Sequence, residues 1–79
     1  MATNIFMCKN GAYCCVVAAR TEGSALRQAR NIMDAHHVQV CPATVEDVNH
    51  VIGMGSHIHN MTEKQVNKWL KKNEVEHAG

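Results

Sequence analysis

The chain has 79 residues, so one domain is expected over 1–79. Its formal net charge of +1 gives no whole-chain case for binding a polyanion or an anionic membrane. No run of apolar residues is long enough to span a bilayer, which argues against a membrane partner.

A chain this short buries only about 60% of the surface its unfolded form exposes. Its core is therefore small. Aromatic residues are limited to Phe6, Tyr13 and Trp69, so Val, Ile, Met, Ala and Cys must fill the interior. The N-terminal "MATNIFMCKNG" lacks a basic segment followed by a long apolar one, so no signal peptide is expected. The expected compartment is cytoplasmic, where cysteines stay reduced.

Asn10-Gly11, between two apolar runs, predicts a hairpin with a two-residue type I′ turn. Strands are expected at 3–9 and 12–19. That register sets Cys8 against Tyr13 and Phe6 against Cys15. Alternation then places Phe6, Cys8, Tyr13, Cys15 and Val17 on one face. Ile5, Met7, Cys14, Val16 and Ala18 share the other. Both faces are apolar, so both need cover from helices, a partner or a second copy, and a homodimer is one solution.

Gly23 ends the second strand, and Ser24 is a suitable N-cap. A helix is predicted at 24–36, with Leu26, Ala29, Met33 and His36 or His37 on its apolar stripe. "VQVC" at 38–41 reads as a third strand ended by Pro42. Thr44 with Asp47 makes a capping box for a helix carrying Val45, Val48 and Ile52. Gly53 or Gly55 can close it. Thr62 with Gln65 makes a second box, for a helix with Val66, Trp69 and Leu70 on its apolar stripe.

The expected fold class is α+β. A β-hairpin, a helix and a third strand form a small, mostly antiparallel sheet, followed by two C-terminal helices.

Four cysteines and six histidines invite a metal reading. A structural zinc site usually has two close ligand pairs, and no C-x-x-C is present here. Neighbouring strand residues point to opposite faces, so Cys14 and Cys15 cannot share a metal. Cys8 and Cys15 share a face only diagonally, about 7–8 Å apart. Free cysteines commonly behave as small buried hydrophobes, and that reading is preferred here. A disulfide is not expected, because Cys8 faces a tyrosine. No cofactor and no metal are assigned. An alternative is a small metal-binding regulatory or structural module using Cys8, Cys15 or Cys41 with His57 and His59.

No local signature pairs a nucleophile with a base, so no catalytic residue is assigned and the chain is read as a non-enzyme. The "IGMGSHI" segment carries G-x-G after a helix, not after a strand, which is the wrong setting for a dinucleotide turn. A helix-hairpin-helix module has a related turn. A nucleic-acid module built on Gly53-Met54-Gly55 and the lysine row is therefore a second alternative, although direct nucleic-acid binding is disfavoured by the charge.

Two basic groups remain as candidate partner contacts. Arg20, Arg27 and Arg30 form the first, and Lys64, Lys68, Lys71 and Lys72 the second. Such rows commonly serve as solvated faces. Arginine is also favoured at interfaces, which ranks the first group higher.

The passage "CVVAARTEGSALRQARNIM" followed by "VQV" resembles small phage-encoded inhibitors of the anti-CRISPR type. There a hairpin feeds a helix with A-x-x-x-A spacing and a third strand follows. The matching positions are Val17, Ala19, Ala25, Ala29 and Val38, covering about half the chain. The resemblance implies a stoichiometric inhibitor that binds a host or defence nucleoprotein complex in the host cytoplasm. Its action would be steric or electrostatic occlusion.

Overall fold

The computed structural model describes residues 3–78, and side chains through Glu74. Two strands, β1 (Asn4–Asn10) and β2 (Tyr13–Ala19), form the hairpin. Helix α1 (Glu22–Met33) follows, then β3 (Gln39–Pro42), α2 (Val45–Gly53) and α3 (Glu63–Ala78). The expected α+β order is observed. The strands are antiparallel in the order β2-β1-β3, with β1 central.

The turn differs from expectation. Asn10 stays in β1 and pairs with Tyr13, which leaves Gly11 and Ala12 as the central turn residues. Gly11 has φ of +59°, whereas Ala12 is not among the positive-φ residues. Glycine in the first central position is the type II′ arrangement. Only one residue then needs positive φ, and Gly11 supplies it. The pairing moves by two residues, so Cys8 opposes Cys15 and Phe6 opposes Val17. A slip of one residue would have exchanged the faces, but a slip of two preserves them.

Both faces are covered from within the chain. On one, Phe6, Cys8, Val17 and Ala19 pack against Ala25 and Ala29 of α1. On the other, Ile5, Val16 and Ala18 pack with Val48 and Val51 of α2 and Val66 and Leu70 of α3. The molecule is thus a sheet between one helix and a pair of helices. Ile5, Val17 and Val48 are fully buried. Each contributes roughly 1.5–3 kcal/mol relative to an exposed position.

Helix α1 begins before the expected Ser24. Thr21 is the N-cap, and its hydroxyl accepts from the Ser24 N–H at 3.1 Å. Both residues can cap, but only Thr21 lies where the strand ends. The Ser24 hydroxyl instead accepts from Gln28. The buried stripe is Ala25 and Ala29, and Leu26 is only half-buried. Small side chains let the helix lie close to the sheet. The helix stops at Asp34 in a left-handed conformation, φ 52°. His36 and His37 therefore lie beyond it, in the connection to β3.

Both capping boxes form. Thr44 and Asp47 exchange bonds of 3.0 and 3.1 Å, and Thr62 and Gln65 exchange bonds of 2.9 and 3.2 Å. After α2, Gly55 adopts the positive φ of +81° that reverses the chain. The segment to α3 is extended, with Ile58 buried. Its His59 bridges the outer edge of β2 in parallel. The Ala18 N–H donates to His59 O, and the His59 N–H donates to Val16 O, both at 2.9 Å. No second helix follows Gly53-Met54-Gly55 directly, so these residues do not form a helix-hairpin-helix turn.

Candidate binding surfaces

All eight lysines and arginines are exposed. Among the described residues the buried ones are all apolar, and no buried polar side-chain atom lacks a hydrogen-bond partner. The polar chemistry of this chain is therefore on its surface.

Arg27 and Arg30 lie one turn apart on α1, an i,i+3 spacing. Arg20 is at the other end, after β2 and before the Thr21 cap. Glu22 to Arg30 is eight helical steps, a rise of about 12 Å. The three are thus strung along the α1 side and do not converge on a point. Lys64, Lys68, Lys71 and Lys72 are all on α3. At 100° per residue they share a stripe opposite Val66 and Leu70. Helices α1 and α3 cover opposite faces of the sheet. The arginines and the lysine row therefore face away from each other, and one flat partner surface cannot meet both.

A polar cleft of about 620 Å³ opens at the hairpin end of the α1 side. Lys9 and Asn10 line it from β1, Arg30 from the last turn of α1, His36 and His37 from the connection, and Gln39 from β3. No carboxylate lines it. Arg30 is held in place there, since its Nε–H donates to the His36 carbonyl at 3.1 Å. Only Arg30 of this group was among the expected contacts. The signal for the rest was the helix stop. A helix ending at Met33 frees His36 and His37 to turn toward the hairpin, and Lys9 directly precedes the Asn10-Gly11 pair.

The metal-ligand set named from sequence is dispersed. Cys8 and Cys15 lie under α1, whereas Cys41 pairs with Met7 on the other face and is exposed. His57 and His59 are adjacent, with ring centroids 5.0 Å apart, beyond the outer edge of β2. Among the described residues, no group of three His, Cys, Asp or Glu side chains is placed to hold a metal ion. All four thiols are free. The premise that Cys8 faces Tyr13 is overturned by the register, because Cys8 and Cys15 are directly opposed. Burial, reinforced by the neighbouring Cys15 thiol, pushes the Cys8 thiol up to about 12. Burial also raises Cys15.

A second cleft, of about 410 Å³, lies on the other face. Cys14, His50, Met54, His57 and His59 line it. Among the described residues, no helix is long and apolar enough to cross a membrane. No protein-family model, curated protein or solved structure matches this chain.

Proposed function

We propose that this chain is a non-enzymatic protein-binding module that inhibits a host or defence nucleoprotein complex by occluding one of its surfaces. The contact face is the α1 side, through Arg27 and Arg30. One observation carries this reading. Among the described residues the interior is apolar and every lysine and arginine is exposed, so the chain has cationic surface to offer a partner. The resemblance to phage-encoded inhibitors of the anti-CRISPR type rests on the hairpin-helix-strand order and supports the same reading. Arginine is preferred over lysine because its planar, weakly hydrated head suits an interface. That preference ranks the α1 side above the α3 lysine row.

Affinity purification from the host tests it. A tagged chain is expected to recover a nucleic-acid-containing complex at fixed stoichiometry. Arg27→Glu with Arg30→Glu is expected to abolish that recovery. Equal recovery by the double variant would overturn the choice of face. A chain that recovers only itself would overturn the binding reading.

A further inference from the structure

We propose that Cys8 and Cys15 form a thiol–disulfide exchange site, which takes a low-molecular-weight disulfide at Cys15 and closes into a reversible cross-strand disulfide beneath α1. This goes beyond the protein-binding reading and does not depend on it.

The register carries the argument. Cys8 and Cys15 are directly opposed, share the face under α1, and are both free thiols. The backbone fixes their spacing. Ile5 O accepts from the Ala43 N–H, on the β3 side of β1. Backbone groups alternate in direction along a strand, so those of Phe6 and Cys8 point to β2. On β2, the Ala18 N–H and Val16 O bond to His59 and point outward, so the groups of Val17 and Cys15 point to β1. Cys8–Cys15 is therefore a hydrogen-bonded pair, with Cα atoms about 5.5 Å apart. That lies inside the window of about 4.4–6.8 Å for a disulfide. The Cβ atoms of such a pair stand about 4.5–5.5 Å apart, wider than the usual disulfide spacing, so closure draws the strands together. A bond formed under that strain is readily reduced, which makes it a switch and not a permanent staple. Cys14 is on the opposite face and exposed, so the fold withholds it from Cys8.

The two thiols have different roles. The Cys8 S–H donates to the Cys15 sulfur, a bond that favours the protonated form of Cys8 and the thiolate of Cys15. Cys8 is fully buried, whereas Cys15 is half-buried. Cys15 is thus the thiol that an external reagent meets, and Cys8 the one that resolves.

The exchange balances in two steps. Cys15 gives its proton to solvent, and its sulfur attacks one sulfur of the small disulfide RSSR. The S–S bond breaks, and RS⁻ leaves and is protonated to RSH. Cys8 then gives its proton to solvent, and its sulfur attacks the Cys15 sulfur of the mixed disulfide. The second RS⁻ leaves and becomes RSH. Two protein thiols are oxidised and one RSSR is reduced to two RSH. Excess RSH drives the same steps backwards. Burial slows the second step, and the direct opposition of the two sulfurs compensates by making it intramolecular.

The test treats the native, reduced chain with 2-hydroxyethyl disulfide at pH about 8, near the ordinary thiol value. Tryptic mapping with fragment sequencing follows each cysteine, since cleavage after Lys9 separates Cys8 from Cys14 and Cys15. The expected intramolecular product is the Cys8–Cys15 link, which 2-mercaptoethanol reverses. In urea, where the fold no longer directs pairing, Cys8–Cys14 should appear beside it. Cys14→Ser with Cys41→Ser, both at exposed positions, should close as the parent does. Cys8→Ala should instead accumulate the adduct on Cys15, and Cys15→Ala should leave Cys8 unmodified. Cβ chemical shifts of Cys8 and Cys15 report closure in the folded protein. A Cys8–Cys14 link in the native chain, a lasting Cys15 adduct with Cys8 still free, or no reaction at Cys15 would each overturn the proposal. Failure to recover a protein partner would leave these readouts untouched.

Discussion

Cys8 lies directly opposite Cys15 in the β1–β2 ladder, and both are free thiols on the face covered by α1. Their neighbour Cys14 is exposed on the other face, paired with Lys9. Adjacent cysteines in sequence thus have different surroundings, and the close pair is one separated by the turn.

Alkylation should resolve these surroundings. In the native protein, iodoacetamide is expected to modify Cys14 and Cys41 first, Cys15 more slowly, and Cys8 only on unfolding. Cys8 is fully buried and its thiol is pushed up to about 12. Only a thiolate attacks the reagent. Peptide mapping by mass spectrometry follows each site. Modification of Cys8 at the rate of Cys14 would contradict the burial described.

The same thiol makes stability depend on alkaline pH. Its folded value lies above that of an unfolded cysteine, near about 8.5. Between these values the unfolded chain loses a proton that the folded chain keeps. Stability should therefore be complete below about pH 8.5 and decline as pH rises toward about 12, by up to about 1.4 kcal/mol per pH unit from this group. Urea midpoints for the parent and Cys8→Ala between neutral and alkaline pH measure it. Equal slopes above pH about 9 in the two proteins would remove the effect.

At the acid end the relevant group is Asp47. Hydrogen bonds from the Thr44 backbone N–H and hydroxyl hold its carboxyl below the usual carboxylate range. Its contribution is present above the unfolded value, about 3.9, and is lost as pH falls through the folded one. Asp47→Asn should narrow the loss of stability between pH about 5 and 2. Thr44→Ala, which removes the cap itself, should cost about 1 kcal/mol at neutral pH. Circular dichroism during urea unfolding reads both.

The closeness of α1 to the sheet predicts an asymmetry between alanine and leucine. Ala29→Leu should destabilise by about 1–3 kcal/mol, because a fully buried site with a strand beneath it has no room to expand. Leu26→Ala, at a half-buried position outside the core, should cost less than about 1 kcal/mol. A Leu26→Ala cost of several kcal/mol would instead place Leu26 within the core, as the stripe expected from sequence has it.

Removal of α3 tests the cover on the second face. A chain ending at Gly55 loses Ile58, Val66 and Leu70 from that core. It should self-associate or fail to fold, whereas the intact chain should be monomeric by light scattering. A folded monomer from the shortened chain would show that Ile5, Val16 and Ala18 tolerate water.

Much of this was legible in local sequence. The alternation in β1 and β2 gave two apolar faces, and that pattern already required cover on both sides. Thr44–Asp47 and Thr62–Gln65 announced two helix starts, because a capping box involves residues only three apart. The register was harder. Asn10-Gly11 fits more than one turn, and the choice depends on whether Asn10 gains more as a strand residue than as a turn residue. Thr21 and Ser24 are both competent caps, and where β2 ends decides between them. Moving the helix back by those residues released His36 and His37, so the cleft with Lys9 and Arg30 could not be assembled from periodicity. It depends on a helix stop and on a strand that arrives afterwards in the chain.

The His59 bridge has a consequence for behaviour in concentrated solution. An open strand edge is a template on which further strands can add, and repeated addition builds fibres. Here the connection between α2 and α3 occupies the middle of the β2 edge, and Pro42, which has no N–H to give, ends β3 at the opposite margin. The β2 edge of this sheet with two apolar faces is thereby closed to extension, and the segment that closes it is the one carrying the paired histidines.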